Sequence, residues 1–79
     1  MEYQGHKNWN HWNVSLWINN DEGLYRLALE SIQETNNRGQ AARYMFDALN
    51  EHPDYWGGPR TPDGAPYSVT TIKSAMRGM

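Results

Sequence analysis

The sequence contains no cysteine, only one phenylalanine and no long apolar run, and each absence narrows what the protein can be. Without cysteine, the 79-residue chain has no disulfide, no thiol nucleophile and no cysteine-ligated zinc site. No apolar run approaches the roughly 18 residues that span a bilayer. The first residues also lack the charged and apolar regions of a secretion signal. We therefore expect a soluble intracellular protein held together by packing.

Aromatic side chains offset a modest apolar content. Hydrophobic residues make up 38% of the chain, while Trp, Tyr and Phe account for 13%. Each large ring buries roughly 150–250 Å², which helps a short chain to build a core. A chain of this length has room for one core, so we expect residues 1–79 to form a single small domain.

The charge of the chain is slightly negative and unevenly distributed. The net charge is -2, with seven acidic residues against three arginines in residues 21–54 and a basic excess after residue 55. Proteins that bind a duplex usually concentrate basic residues on one face. A helix-turn-helix with Arg38 and Arg43 at the start of its second helix remains an alternative, but Asp47 and Glu51 on the same helix would meet phosphates unfavourably. Direct nucleic-acid binding is therefore not our first expectation.

Apolar spacing predicts three helices, at about residues 8–19, 21–34 and 39–51. In the first segment, Trp9, Trp12 and Leu16 follow a helical period. A strand is the alternative there, because Val14, Leu16 and Ile18 alternate with Asn13, Ser15 and Trp17. The residues that we expect in the core are Trp12, Leu16, Trp17, Leu24, Leu27, Ala28, Met45 and Leu49.

Glycine and proline dominate the segment that follows. Residues 54–66 contain three glycines and three prolines, which predicts an irregular loop. Ser68 can then cap a short helix with Val69, Ile72 and Met76 on one face, although the β-branched residues leave a strand open. We therefore expect a mainly α fold: a compact three- to four-helix domain with a Gly/Pro-rich loop before the C-terminal segment.

Neither a metal site nor a catalytic centre is indicated. His6 and His11 are five residues apart, which does not place them on one helix face, and His52 lies at a predicted helix end. The sequence around Gly57 and Gly58 lacks the lysine and following helix of a phosphate-binding loop. We expect a protein that is not an enzyme and needs no cofactor and no metal.

The aromatic loop is the best candidate for a binding surface. Tyr, Trp and Arg are the residue types enriched at binding hot spots, and prolines stiffen this loop. For Trp56 an equally good interpretation is that the ring folds back over the core. The predicted partner-binding residues are Tyr55, Trp56, Arg60, Tyr67, Lys73 and Arg77. The competing surface is an acidic face formed by Glu30, Glu34, Asp47 and Glu51.

The segment from Trp12 to Tyr25 resembles a small domain family found in bacteriophages and mobile elements. Its hallmark is the string Trp-Asn-Val-x-Leu-Trp-Ile-x-Asn-Asp-Glu-x-Leu-Tyr. The resemblance implies a phage context, and hence the cytoplasm of the infected bacterial host. We expect the motif residues Trp12, Leu16 and Trp17 to serve the fold.

By context and general similarity, a small cysteine-free phage protein without catalytic residues also resembles the anti-CRISPR class of inhibitors. This resemblance implies an inhibitor of a type I effector complex that binds a subunit stoichiometrically and blocks engagement of target DNA. The alternative is a small phage nucleic-acid-binding or regulatory protein.

Overall fold

The computed structural model describes residues 8–79, and most of these residues are helical. Its five helices are α1 (Trp9–Asn20), α2 (Glu22–Glu34), α3 (Arg38–Glu51), α4 (Pro53–Trp56) and α5 (Val69–Ala75). The predicted fold class is confirmed. In both segments where a strand was the alternative, the chain is helical.

Polar side chains mark the start of four helices. A side-chain oxygen at each N-cap accepts a hydrogen bond from the backbone N–H three residues later. Such a cap stabilises a helix by about 1 kcal/mol. Ser68 and Thr71 form a reciprocal capping box at α5. The N-cap residues are Asn8, Asp21, Asn37 and Ser68.

The helices pack around one apolar core. α5 contacts α1 and α3, and α2 contacts the same two helices. These four helices therefore enclose a common interior. The predicted core residues of α2 and α3 are buried, namely Leu24, Leu27, Ala28, Met45 and Leu49. These five predictions are confirmed. From α5 and its end, Ile72, Ala75 and Met76 complete this interior.

The prediction for the inward face of α1 is wrong. Val14 and Ile18 are fully buried, whereas Leu16 is 37% exposed and Trp12 and Trp17 are only half-buried. Large apolar residues occur all around this helix, so their spacing does not single out one face. Packing buries the i,i+4 pair Val14 and Ile18 instead, which lies almost a half-turn from the centre of the predicted stripe at about 3.6 residues per turn.

The segment predicted to be an irregular loop is ordered. It begins with α4, which has Pro53 at its first position and ends at Gly57 in the left-handed region, with φ of +90°. The predicted loop is present over residues 57–66, but residues 54–56 are helical, because Pro53 not only ends α3 but also begins a new helical turn.

Residues 59–67, the hairpin loop, then fold back on themselves. Thr61 N–H donates to Ala65 O at 2.8 Å, and Tyr67 N–H donates to Pro59 O at 3.0 Å. Between these pairs, Gly64 N–H donates to Thr61 O at 2.8 Å and closes a tight turn with Pro62 at its second position. The prolines therefore direct the chain into a defined turn.

No helix within residues 8–79 is long and apolar enough to cross a bilayer.

Candidate binding site

A buried asparagine on α1 anchors the hairpin loop. Asn13 is only 1% exposed; its Nδ2 donates to Asp63 Oδ2 at 2.9 Å, and its Oδ1 accepts from Thr61 Oγ1 at 2.5 Å. Thr61 Oγ1 also accepts from Ala65 N–H at 3.0 Å, which ties the side-chain contacts to the turn itself. Both ends of the buried amide are thus paired, as buried polar groups usually are.

Trp17 joins this arrangement one helical turn later. Its Nε1 donates to the same Asp63 Oδ2 at 2.9 Å, so α1 provides two donors to a single carboxylate oxygen. The hydrogen bond from Asn13, followed by that from Trp17, lowers the pKa of Asp63 below its ordinary value. We call Asn13, Trp17, Thr61 and Asp63 the Asn13 network, and it fixes the hairpin loop against α1.

A surface pocket of about 240 Å³ lies beside this network. It forms where the junction of α1 and α2 meets α4 and the hairpin loop. The residues that line it are Trp17, Asp21, Gly23, Leu24, Tyr55, Trp56, Pro62 and Tyr67. Four of these eight side chains are aromatic, and Trp17 belongs both to the pocket and to the Asn13 network.

The aromatic rings of α4 stand at the pocket with defined geometry. Tyr55 and Trp56 make an edge-to-face pair, with ring centroids 4.7 Å apart and planes at 82°. A Cβ atom placed on Gly23 would lie 3.6 Å from the Trp56 ring and 3.4 Å from Asp21 Oδ1. The Trp56 ring and the Asp21 carboxylate therefore approach the same point at the start of α2.

Among the described residues that line the pocket, Asp21 is the only charged one. Its Oδ1 accepts from Leu24 N–H at 3.0 Å and so caps α2. Burial, and secondly the negative charge of Asp21, raise the pKa of the Tyr67 phenol above its ordinary value of 10.0. The negative charge of Asp21 therefore acts on a second residue of the pocket lining.

Three of the six predicted partner-binding residues come together at this pocket. Tyr55 is 79% exposed, Trp56 is half-buried and Tyr67 is buried as part of the wall. Both interpretations of Trp56 apply, because its ring packs against the core and also lines the pocket.

The other three predicted residues are exposed but do not line the pocket. Arg60 Nη1 donates to Gly64 O at 3.0 Å, which braces the hairpin loop. Lys73 lies on α5, and Arg77 follows the end of that helix. The pocket therefore defines a smaller candidate site than the sequence predicts.

The four acidic residues of the competing surface are all exposed but are divided into two pairs. Glu30 and Glu34 lie at the end of α2, directly before the connection to α3. Glu51 ends α3, roughly 20 Å along the helix axis from that connection at 1.5 Å per residue. Asp47 is in addition paired with Arg43 at 3.5 Å. The four acidic residues are therefore distributed along two helices, and the charge of Asp47 is partly offset by Arg43.

Sequence reasoning missed the pocket residues contributed by α1 and the start of α2. Asp21 was recognised only as part of a helix start, and Trp17 only as a core residue. The turn Pro62-Asp63-Gly64 has a recognisable sequence signature, and it could have located the hairpin loop. No local signal reveals that Asp63 meets Asn13, fifty positions away.

Within residues 8–79, no group of three or more His, Asp or Glu side chains could hold a metal ion. His6, one of the three histidines considered from the sequence, lies outside the described residues.

The fold and the site define a small helical domain that presents an aromatic-lined surface pocket. Residues 1–79 match the model of a family of unknown function, DUF7249, and the protein belongs to that family. The chain matches no curated protein and no solved structure.

Proposed function

We propose that the protein is a phage-encoded inhibitor of a host defence complex that acts by stoichiometric protein–protein binding, without catalysis. The proposed target is a type I CRISPR effector complex, whose engagement of target DNA would be blocked. The resemblance of residues 12–25 to a phage domain motif supports the context. The surface chemistry beside α4 supports binding to a protein.

The observation that carries the proposal is the exposure of Tyr55 on a restrained element. Its side chain is 79% exposed and makes an edge-to-face contact with Trp56 at the pocket. Tyrosine and tryptophan are enriched among residues that dominate binding energy. An exposed tyrosine that is paired with a half-buried tryptophan at a pocket is therefore a suitable anchor for a partner protein.

Restraint of the surrounding chain strengthens this argument. Pro53 and Gly57 bound α4, while the Asn13 network holds the hairpin loop against α1. Surface segments that are already ordered lose less conformational entropy on docking than flexible ones. More of the contact energy then contributes to affinity.

The test compares binding of three folded variants to a purified type I effector complex. We expect Tyr55→Ala/Arg60→Ala to weaken complex formation by roughly thirtyfold or more, because truncation of a hot spot costs about 2 kcal/mol or more. Tyr44→Ala is the matched control, since Tyr44 is an exposed tyrosine on α3 that does not line the pocket. It should bind like the parent protein. Biolayer interferometry measures the affinities.

The third variant, Glu30→Gln/Glu34→Gln, tests the competing surface. If only this pair weakens binding, the aromatic surface is not the interface and electrostatic blocking of a nucleic-acid site takes its place. Salt-dependent gel shifts of bare DNA by the parent protein, without binding to the effector complex, would instead favour a nucleic-acid-binding function.

A further inference from the structure

We propose that the pocket between the α1–α2 junction and α4 binds a cationic side chain, an arginine or lysine that the partner protein inserts. This inference rests on the proposed function, because it names the chemical group that the aromatic surface recognises. The lining residues of the pocket, its charge and its size support this inference.

Four aromatic side chains line the pocket, and the faces of such rings attract organic cations. The Trp17 ring comes from α1 and the Tyr67 ring from the hairpin loop. The rings of Tyr55 and Trp56 come from α4. A cation within about 6 Å of an aromatic ring face is attracted by the negative face of the ring, and Trp is the best partner. Aromatic rings also tolerate the aliphatic stem of Arg or Lys, which buries well against apolar surface.

The charge of the pocket has the matching sign. Within residues 8–79, Asp21 is the single charged residue of the lining, and no basic side chain of this part of the chain shares the lining with it. The C-terminal end of α1 and the N-terminal end of α2 meet at Asp21, so their opposite partial charges largely offset each other. The carboxylate therefore determines the sign of the field, which favours a cation and disfavours an anion.

The same groups disfavour a purely apolar occupant. An aliphatic side chain would cover the Asp21 carboxylate and give it no hydrogen bond in place of water, and such desolvation is costly. A guanidinium or ammonium group would replace the lost water contacts with a charge-assisted hydrogen bond. The volume of about 240 Å³ is also below the range of pockets that hold drug-sized ligands, and it suits a single side chain.

The experiment titrates the folded, ¹⁵N-labelled protein with amino-acid amides and follows the indole N–H resonances of Trp17 and Trp56. N-acetyl-arginine amide and N-acetyl-lysine amide are the probes, and N-acetyl-citrulline amide is the neutral control of nearly equal shape. We expect saturable shifts with at least one cationic probe at about millimolar concentration, and affinity at least about fivefold weaker for citrulline. Equal shifts with citrulline, or no shift with either cation up to about 50 mM, would overturn the proposal.

Asp21→Asn separates the charge of this residue from its role as a cap. Asparagine caps helices as well as aspartate does, so α2 should remain intact while the negative charge is lost. We expect at least about fivefold weaker binding of the cationic probe, and the pKa of Tyr67 should fall towards its ordinary value while burial keeps it above that value. Tyr44→Ala, outside the pocket, should leave the titration unchanged. Unchanged affinity in a folded Asp21→Asn protein would contradict the assignment.

The titrations with amino-acid amides do not require the partner protein. If the pocket binds no cation but the protein still binds the effector complex through Tyr55, the inference fails and the proposed function stands. If the pocket binds the cation but no effector complex is bound, the proposed function fails and the site remains.

Discussion

The two sides of α1 are held in different ways. On one side, Val14 and Ile18 pack into an apolar core shared with the other helices. On the other side, Asn13 and Trp17 make directed hydrogen bonds to the hairpin loop. Burial of apolar area stabilises without selecting an orientation, whereas hydrogen bonds require specific distances and angles. The apolar side therefore contributes most of the stability, and the polar side determines how the binding surface is presented.

The largest expected effect comes from the apolar side of this comparison. Ile18→Ala would leave a cavity at a fully buried position and should lower the free energy of unfolding by about 2–5 kcal/mol. Leu16→Ala, two residues away and 37% exposed, should cost under about 1 kcal/mol. Urea denaturation followed by circular dichroism measures both. Equal losses would contradict the structure, in which Ile18 lies in the core and Leu16 is exposed.

A smaller effect is expected on the polar side. Asn13→Ala removes the partner of Thr61 Oγ1 and one donor to Asp63, and should cost about 1–3 kcal/mol. Amide hydrogen exchange should accelerate in the hairpin loop, at Thr61, Ala65 and Tyr67, more than in α2 and α3. Asn19→Ala is the control, because that side chain is exposed and bonds only within α1. Uniformly faster exchange across the domain would show that Asn13 supports the core and not the loop.

The smallest expected effect is a dependence of stability on pH. Hydrogen bonds from Asn13 and Trp17 lower the pKa of Asp63 in the folded state, so the ionised form contributes stability above the ordinary value of 3.8. This contribution should be lost as the pH falls from there through the lowered pKa. Thermal denaturation of the parent protein and of Asp63→Asn between about pH 2 and pH 6 measures it. The difference in melting temperature between the two proteins should shrink towards the acidic end; a constant difference would contradict the coupling.

The sequence predicts the helices of this fold better than it predicts their contacts. In α2 and α3, apolar residues occupy one stripe, so spacing alone identified Leu24, Leu27 and Met45 as core residues. In α1, apolar residues surround the helix, and their spacing could not show which of them would be buried. The turn of helix in α4 was missed because a proline that ends one helix can equally begin the next.

The candidate site was predictable only where it consists of local sequence. Composition predicts Tyr55, Trp56 and Tyr67, since aromatic residues near glycine and proline stand out in a short segment. The rest of the lining meets these residues only through tertiary packing and consists of Trp17, Asp21, Gly23, Leu24 and Pro62. Its local sequence explains Asp21 fully as a helix cap, so the sequence gives no sign that Asp21 also lines the pocket.

The separation in sequence between the partners of the Asn13 network has a consequence for how the chain folds. Asn13 meets Thr61 and Asp63 across 48 and 50 positions, and α1 packs extensively against α5. By contrast, α2 and α3 are joined by three residues and can pair early. Contacts that close a long loop carry an entropic cost, so we expect the α2–α3 pair to nucleate folding and the hairpin loop to dock late. The binding surface would then be the last part of the molecule to form and the first to open.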